Sequence, residues 1–190
     1  MKKLTVIILF FISANIQAQT KSRFEFTSNN SIGTAWGNNQ NVIVFQTING
    51  FRYKKWNVGL GISLDGYGSQ STPLFLDFKR YIGKNNSFFV YTDLGVNVPW
   101  RTSNFPAKYT WNNEDAFKLK NTFYGEFGFG FKKLLVNKTF YVVSLGYSLK
   151  QFSYVEQNVS TWGIGGITGK TDYYYDFYYK RIALRFGIEF

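Results

Sequence analysis

The sequence from Tyr174 to Phe190 reads YYDFYYKRIALRFGIEF, and its second half decides the fold. Successive side chains of a β-strand point to opposite faces, so a period of two residues predicts a strand with two different faces. Such a strand fits a water-soluble barrel with its apolar face inward, and equally a membrane barrel whose charged face lines a closed lumen. The large apolar residues of this row are Ile182, Leu184, Phe186, Ile188 and Phe190, and they alternate with Ala183, Arg185, Gly187 and Glu189.

The first 18 residues, MKKLTVIILFFISANIQA, predict a cleaved secretory signal peptide. Lys2 and Lys3 provide the basic start, an apolar run follows, and Ala18 ends a small-residue cleavage site. The run is too short to cross a bilayer as a helix, although a retained N-terminal anchor is the alternative. We therefore expect residues 19–190 to form one domain. Export, together with an apolar row that ends in Phe190, favours the membrane barrel.

Alternation of apolar and polar residues recurs along the chain and is clearest in Trp56–Asp65. We predict an all-β fold, an eight-stranded antiparallel transmembrane barrel, because single-chain bacterial barrels have an even number of strands. In the second strand apolar residues fall on both faces, and a bulge between Thr47 and Gly50 would reconcile them. The predicted strands cover residues 23–27, 42–53, 56–65, 74–79, 88–98, 119–133, 141–149 and 172–190.

The predicted connections differ between the two ends of the barrel. Short basic turns are expected at residues 52–55, 83–86 and 132–138, and longer loops at 66–71, 99–118 and 156–171. Residues 29–41 are expected to contain a loop, with the alternative that Ile32, Thr34 and Trp36 continue the strand. Outer-membrane barrels place their turns in the periplasm and their loops outside the cell, so both termini are expected in the periplasm. The turn residues carry Lys and Arg without acids, which predicts contact with anionic lipid head groups.

Charged residues fall repeatedly on the face opposite the apolar one. The interior of an eight-stranded barrel is just wide enough to be filled by side chains, so these charges should pair into a network that closes the lumen. An ion path or a proton-coupled site is the alternative, and Asp93 with Glu126 on neighbouring strands is a candidate acid–base pair without a groove for a substrate. The predicted lumen charge network is Arg23, Glu25, Asp77, Lys79, Asp93, Glu126, Lys150, Arg181, Arg185 and Glu189.

The chain contains neither His nor Cys, which bears on possible chemistry. Acyl transfer would need a Lys or carboxylate base, and metal sites built from Cys and His are excluded. We therefore expect no enzyme activity, no cofactor and no metal site. Export also argues against a nucleic-acid partner.

Aromatic residues make up 21% of the chain, which is the composition that interfacial girdles require. The tyrosine cluster before the last strand also suits a carbohydrate-contact or protein-contact surface. The predicted girdle is Trp56, Trp100, Tyr173, Tyr174, Tyr175 and Tyr178.

The stretch QTINGFRY at residues 46–53, the alternation of the third strand, Pro73-Leu74-Phe75 and the C-terminal row together resemble a known family. They resemble small outer-membrane barrels of the OmpX/OmpA transmembrane type, especially the outer membrane protein beta-barrel domain family common in Bacteroidetes. This resemblance implies that the barrel-assembly machinery reads the terminal row Ile182, Leu184, Phe186, Ile188 and Phe190 as its signal.

The resemblance also implies an integral outer-membrane protein in contact with lipid. We expect a structural or interaction protein whose extracellular loops bind a protein partner, as a subunit of a larger outer-membrane complex. The alternatives are a narrow porin-like channel, a lipid-modifying enzyme and a soluble lipocalin-like barrel.

Overall fold

The computed structural model describes residues 24–37, 40–65, 71–100, 117–162 and 167–190. None of these residues forms a helix that is long and apolar enough to cross a membrane. Nine strands follow one another along the chain, namely β1 (Phe24–Gly37), β2 (Gln40–Tyr53), β3 (Trp56–Asp65), β4 (Ser71–Ile82), β5 (Phe88–Pro99), β6 (Phe117–Lys120), β7 (Thr122–Val136), β8 (Thr139–Trp162) and β9 (Ile167–Glu189).

The short strand β6 precedes β7 and is separated from it by a bulge. Lys120 of β6 pairs with Ser153 of β8, and Tyr124 of β7 pairs with Lys150 of the same strand. One side therefore has one residue more than the other between the two pairs, which is the arrangement of a β-bulge.

The eight long strands form a closed antiparallel ring. Each strand pairs with its neighbour in the chain, and β9 pairs with both β8 and β1. Closure leaves no unpaired sheet edge along the wall. The predicted eight-stranded antiparallel barrel is confirmed.

The strands are strongly staggered around the ring. Following paired residues once around the barrel from Phe24 leads back to β1 at Thr34, ten residues further along. Such a stagger requires strands that tilt by about 35–45° from the barrel axis. The path runs through Tyr53, Trp56, Arg80, Val90, Phe129, Leu145 and Leu184.

Three tight turns and the two ends of the described chain lie at the same end of the barrel. Lys54, Asn86 and Asn137 have positive φ angles of 56°, 52° and 52°, as tight connections of antiparallel strands require. Phe190 exchanges two backbone hydrogen bonds with Ser28, of 2.8 and 3.0 Å. We call this the turn end. The predicted turns at 52–55 and 83–86 are confirmed there, whereas the predicted turn at 132–138 is reduced to residues 137–138, because β7 runs to Val136.

One predicted loop is wrong because its residues continue the strands. Residues 156–162 pair with residues 167–173, so the predicted loop at 156–171 is mostly hairpin. In the stretch 29–41 the alternative holds, because pairing of β1 with β2 runs without interruption from Phe24 to Gly37, and only residues 38 and 39 lie outside the described part. Polar side chains do not prevent a strand when backbone pairing is complete. Residues 66–70 and 101–116 of the other loops lie outside the described residues.

The expected bulge in β2 is also wrong. The register with β1 and β3 is continuous, and Val42, Val44 and Ile48 simply point inward. They are tolerated there because small apolar clusters fill the space between the polar groups of the interior.

Glycines inside the barrel make room for aromatic rings from neighbouring strands. Gly95 of β5 lies between Phe75 of β4 and Tyr124 of β7, whose ring centroids are 5.4 Å apart across it. A Cβ atom at Gly95 would overlap the backbone of Leu74 and Phe75, which cannot move without breaking the sheet. The packing of the interior therefore depends on glycines that alternate with aromatic residues on neighbouring strands.

We expect Gly95→Ala to lower the free energy of unfolding by about 1–3 kcal/mol, as overpacking of a filled interior does. Urea titration in lipid vesicles, followed by the change in gel mobility on unfolding, measures this. Val96→Ala is the control, because Val96 points outward and is 48% exposed. An equal effect of the two substitutions would contradict the packing account.

Candidate functional site: the charged barrel interior

Among the described residues, ten charged side chains are buried in the interior of the barrel. Five acidic and five basic residues are each at most 8% exposed, so the formal charges balance. Burying a charge without a partner is costly, so such a set is stable only as pairs or networks. The ten residues are Asp65, Asp77, Asp93, Glu126, Glu189, Lys79, Lys132, Lys150, Arg181 and Arg185.

The middle cluster is built around the ion pair between Arg185 of β9 and Glu126 of β7. Arg185 Nη1 donates to Glu126 Oε2 at 3.1 Å, and Arg185 Nη2 donates to the Tyr91 hydroxyl at 2.9 Å. Tyr91 donates to Glu126 Oε1 at 2.6 Å, and Tyr124 donates to Oε2 at 3.1 Å. A Cβ atom at Gly146 would meet the tip of Glu126, so this glycine leaves the space that the cluster occupies.

A row of three acids crosses β4, β5 and β7 at this level. Asp77 pairs in register with Asp93, and Asp93 pairs with Glu126. Gln46 Nε2 donates to Asp93 Oδ2 at 3.2 Å, while both oxygens of Asp77 and Oδ1 of Asp93 are buried without a hydrogen-bond partner within the described chain. These acids border a cavity of about 20 Å³, which has room for about one water molecule.

The cluster nearest the turn end is centred on Glu189 of β9. Lys132 Nζ lies 2.5 Å from Glu189 Oε1, and Lys79 Nζ lies 3.8 Å from Oε2. The Tyr81 hydroxyl donates to the same carboxylate at 3.1 Å. Lys132 also lies 4.1 Å above the centre of the Tyr81 ring, a cation–π contact that stabilises the buried ammonium group.

A third cluster lies toward the opposite end of the barrel. Lys150 Nζ lies 2.5 Å from Asp65 Oδ1 and donates to Ser71 Oγ at 2.5 Å. Arg181 is 1% exposed, and its guanidinium lies 5.7 Å from the centre of the Tyr179 ring. The three clusters together line the lumen from one end to the other.

The structure places eight of the ten predicted network residues in the buried set. Arg23 lies outside the described residues. Glu25 lies at the turn end, where 63% of its side chain is exposed and it pairs with Arg52. The network also contains Asp65 and Lys132, which the sequence analysis omitted. The predicted head-group contact of Lys132 is wrong, because β7 runs on to Val136 and keeps Lys132 inside.

Hydrogen bonds from the Arg52 guanidinium lower the pKa of the Glu25 carboxyl below its usual value. The resulting stabilisation is present at neutral pH and is lost as the pH falls through the lowered pKa. It is small because the pair is largely exposed to solvent.

The predicted assembly row points outward from β9. Ile182, Phe186, Ile188 and Phe190 are each 48–55% exposed, and Leu184 is half-buried among its neighbours. The row therefore forms part of the outer wall.

Residues of the predicted girdle lie at three different places. Trp56 lies at the turn end, 54% exposed, and Trp100 is exposed after the end of β5. Tyr173, Tyr174, Tyr175 and Tyr178 pair with residues 151–156 of β8, beyond the last pairs of β9 with β1. Trp56 belongs to a ring of aromatic residues around the wall at the turn end. The other members were not predicted, and they are Phe24, Phe26, Phe51, Phe88, Phe131, Tyr141 and Phe190.

Among the described residues no group of three or more acidic side chains is arranged to hold a metal ion. Nearly every charge of the interior has an opposite charge or an aromatic ring beside it. This arrangement can close the lumen and fix the strands, which is the role of a plug.

No protein-family model matches this chain, and no curated protein sequence matches it. The outer membrane protein AlkL, solved by solid-state NMR in DMPC bilayers, is 13% identical, with 93% of this chain and 94% of AlkL covered at a TM-score of 0.49. The outer membrane protein OprG from Pseudomonas aeruginosa is 17% identical, with 88% of this chain and 95% of OprG covered at a TM-score of 0.47. The outer membrane protein Ail from Yersinia pestis, in a phospholipid bilayer nanodisc, is 13% identical, with 87% of this chain and 100% of Ail covered at a TM-score of 0.41.

We expect Glu126→Leu to lower the free energy of unfolding by about 3–5 kcal/mol, because it leaves Arg185 buried without its carboxylate. The double variant Glu126→Leu/Arg185→Leu should lose much less, since both charges are then gone. Urea titration of the wild type, Glu126→Leu, Arg185→Leu and the double variant in the same vesicles measures this. If the double variant is as unstable as the sum of the two single variants, the two residues are not coupled.

Proposed function

We propose that this protein is an integral outer-membrane barrel with a closed lumen that acts as a structural or interaction protein. The observation that carries the proposal is the inversion of its two faces. Among the described residues 39 large apolar or aromatic side chains are exposed, while buried polar and charged side chains outnumber buried apolar ones by 22 to 14. A soluble lipocalin-like barrel has the opposite distribution.

Lipid is the solvent that suits such a wall. The outward residues of β3, from Trp56 to Leu64, are all apolar, and those of β7 from Phe123 to Phe131 are phenylalanines around a single glycine. Transmembrane barrels carry an apolar band about 25 Å tall with aromatic residues at its borders, and the ring of aromatic residues at the turn end forms one such border. The predicted signal peptide and the terminal apolar row favour the bacterial outer membrane, with turns in the periplasm and loops outside.

A closed lumen follows from the packing of the interior. Asp77 and Asp93 are 0% exposed, Arg185 is 3% exposed, and the cavity beside them holds about 20 Å³. A hydrated ion needs a continuous water-filled path, which porins obtain from 16–18 strands rather than eight. The barrel therefore spans the membrane without conducting.

The projecting β8–β9 hairpin is the feature that suits a partner. These strands have 24 and 23 residues, against 15 or fewer in every other strand described. From Lys150 to Trp162 the hairpin extends roughly 40 Å along the strand direction. Only β6 accompanies it beyond the ring, as far as Glu156.

Stacked aromatic rings stiffen the base of this hairpin. Tyr154 stacks on Tyr175 at 4.8 Å and on Phe177 at 6.0 Å, and Phe177 contacts Phe152 at 6.4 Å. Exposed and rigid aromatic residues give large contact areas at a low entropy cost, and they are enriched in protein interfaces. Tyr174 and Tyr178 are 67% and 64% exposed.

We expect no steady single-channel conductance from the purified barrel in planar bilayers at neutral pH. The control is an open porin measured in the same bilayers. Reproducible channels whose conductance changes with Glu126→Gln would contradict the closed lumen and support the narrow channel instead.

We also expect the protein to migrate with a stoichiometric partner on a native gel after extraction from its own membrane in mild detergent. Replacing residues 155–174 by Asn-Gly joins Tyr154 to Tyr175, which are already paired, through a two-residue hairpin turn. This shortened protein should fold but lose the partner, as mass spectrometry of the gel band would show. A partner that stays bound to the shortened protein, or a wild-type protein that migrates alone, would contradict the role of the hairpin.

A further inference from the structure

A polar patch interrupts the apolar outer wall on β1 and β2. Asn30, Thr47 and Asn49 point outward, and the Thr47 hydroxyl donates to Asn30 Oδ1 at 2.7 Å. On the same face Phe26 and Ile32 flank Asn30 along β1, and both are at least 50% exposed. Phe51 and Phe45 flank the polar residues of β2 in the same way. The patch therefore lies within the apolar band and not at its border.

Lipid does not satisfy these groups. Asn49 is exposed, and its side chain makes no hydrogen bond within the described part of the chain, although its amide has two donors and two acceptor lone pairs. A polar group that faces hydrocarbon without a partner is costly, so outward amides in a membrane protein indicate a covered surface. On the far side of the ring, the one outward polar residue between Phe88 and Val98 of β5 is Thr92.

Two residues of the patch, Asn30 and Thr47, form the floor of a groove of about 680 Å³, and Asn49 follows two residues further along β2. The short side chains of Asn30 and Thr47 leave this groove between two ridges of large apolar residues, one from β2 and β3 and one from β1 and β9. The ridges are Phe45, Ile62 and Leu64 on one side, and Ile32, Phe186 and Ile188 on the other. A complementary ridge would fill the groove and bring the partner surface up to Asn49.

We propose that the β1–β2 face binds a second copy of this protein within the membrane, with Asn49 of one copy hydrogen-bonded to Asn49 of the other. This inference rests on the proposed membrane placement. Two copies inserted in the same direction are related by a twofold axis along the membrane normal, so each residue lies at the same depth as its counterpart. If the axis passes beside Asn49, the patches of the two copies face each other. A primary amide is both a donor and an acceptor, so the two Asn49 side chains can hydrogen-bond to each other.

Packing and polar contacts drive association inside a bilayer, because lipid is as apolar as the wall of the protein. Asn49 and the groove provide both. A different barrel would need a polar patch of its own at the matching depth. We therefore propose a second copy, and the experiments below also detect binding of a different barrel.

The test uses the absence of native cysteine. Asn49→Cys and Thr92→Cys are each reconstituted in phosphatidylcholine vesicles and exposed to a mild oxidant, and disulfide-linked dimers are counted on a non-reducing gel. Both positions point outward from the middle of a strand, on opposite sides of the ring. Loss of the Asn49 amide weakens the dimer, but the disulfide captures each dimer that still forms through the groove, so we expect at least tenfold more cross-linked dimer from Asn49→Cys than from Thr92→Cys. Equal amounts from both variants or none from Asn49→Cys would overturn the proposal.

Resistance to carbonate extraction and the gel shift on heating report insertion in the same samples. Inserted protein without Asn49 cross-links overturns only the dimer, whereas protein that is extracted by carbonate overturns the membrane placement and the dimer with it.

A second variant, Asn49→Leu, separates the dimer from a patch that merely faces lipid. Fluorescence energy transfer between labelled copies at falling protein-to-lipid ratios gives the dissociation constant. We expect Asn49→Leu to raise it at least tenfold and Thr92→Leu to leave it unchanged. An unchanged constant in Asn49→Leu would overturn the proposal, as would transfer that appears only on addition of a different barrel from the native membrane.

Discussion

The balance of ten buried charges is the constraint on which the rest of this barrel depends. Eight strands leave an interior that side chains nearly fill, so most charges find their partners across the lumen, whereas Asp77 and Asp93 border a cavity large enough for about one water molecule. Arg185 reaches Glu126 and Tyr91 only because Gly146 and Gly128 carry no side chain on the strands between them. A side chain at either glycine would displace groups of this cluster, so the glycines and the charged residues of the lumen depend on each other.

The stagger of ten residues sets which side chains meet inside the barrel. Tilted strands bring charged residues from distant parts of the chain to the same level of the lumen, as with Lys132 and Glu189. On the outer face the polar residues Asn30 and Thr47 lie together because β1 and β2 pair at these two positions. A local polar patch is compatible with the fold because the backbone pairing beneath it is complete.

The sequence predicts the architecture well where its period is two, as in β3 and the second half of β9. It fails in β1 and β8, because Asn, Ser and Thr usually indicate loops and here pair in full-length strands. Eight network residues follow from inward parity alone. Lys132 was missed because a Lys pair beside an expected turn looks like a solvated end, and Asp65 because a loop was expected directly after it. Contacts such as Tyr81 with Glu189 depend on stagger, which no local pattern reveals.

The position of Glu189 and Arg185 on the final strand has a consequence for biogenesis. The partners of these residues, Lys132 and Glu126, are on β7, which is synthesised before β9. Until β9 docks, the incomplete lumen contains unpaired charges that only water can solvate, so a partly assembled barrel must remain open and hydrated. Expulsion of that water and closure of the wall then become a single late event, and a chain without β9 cannot reach the closed state.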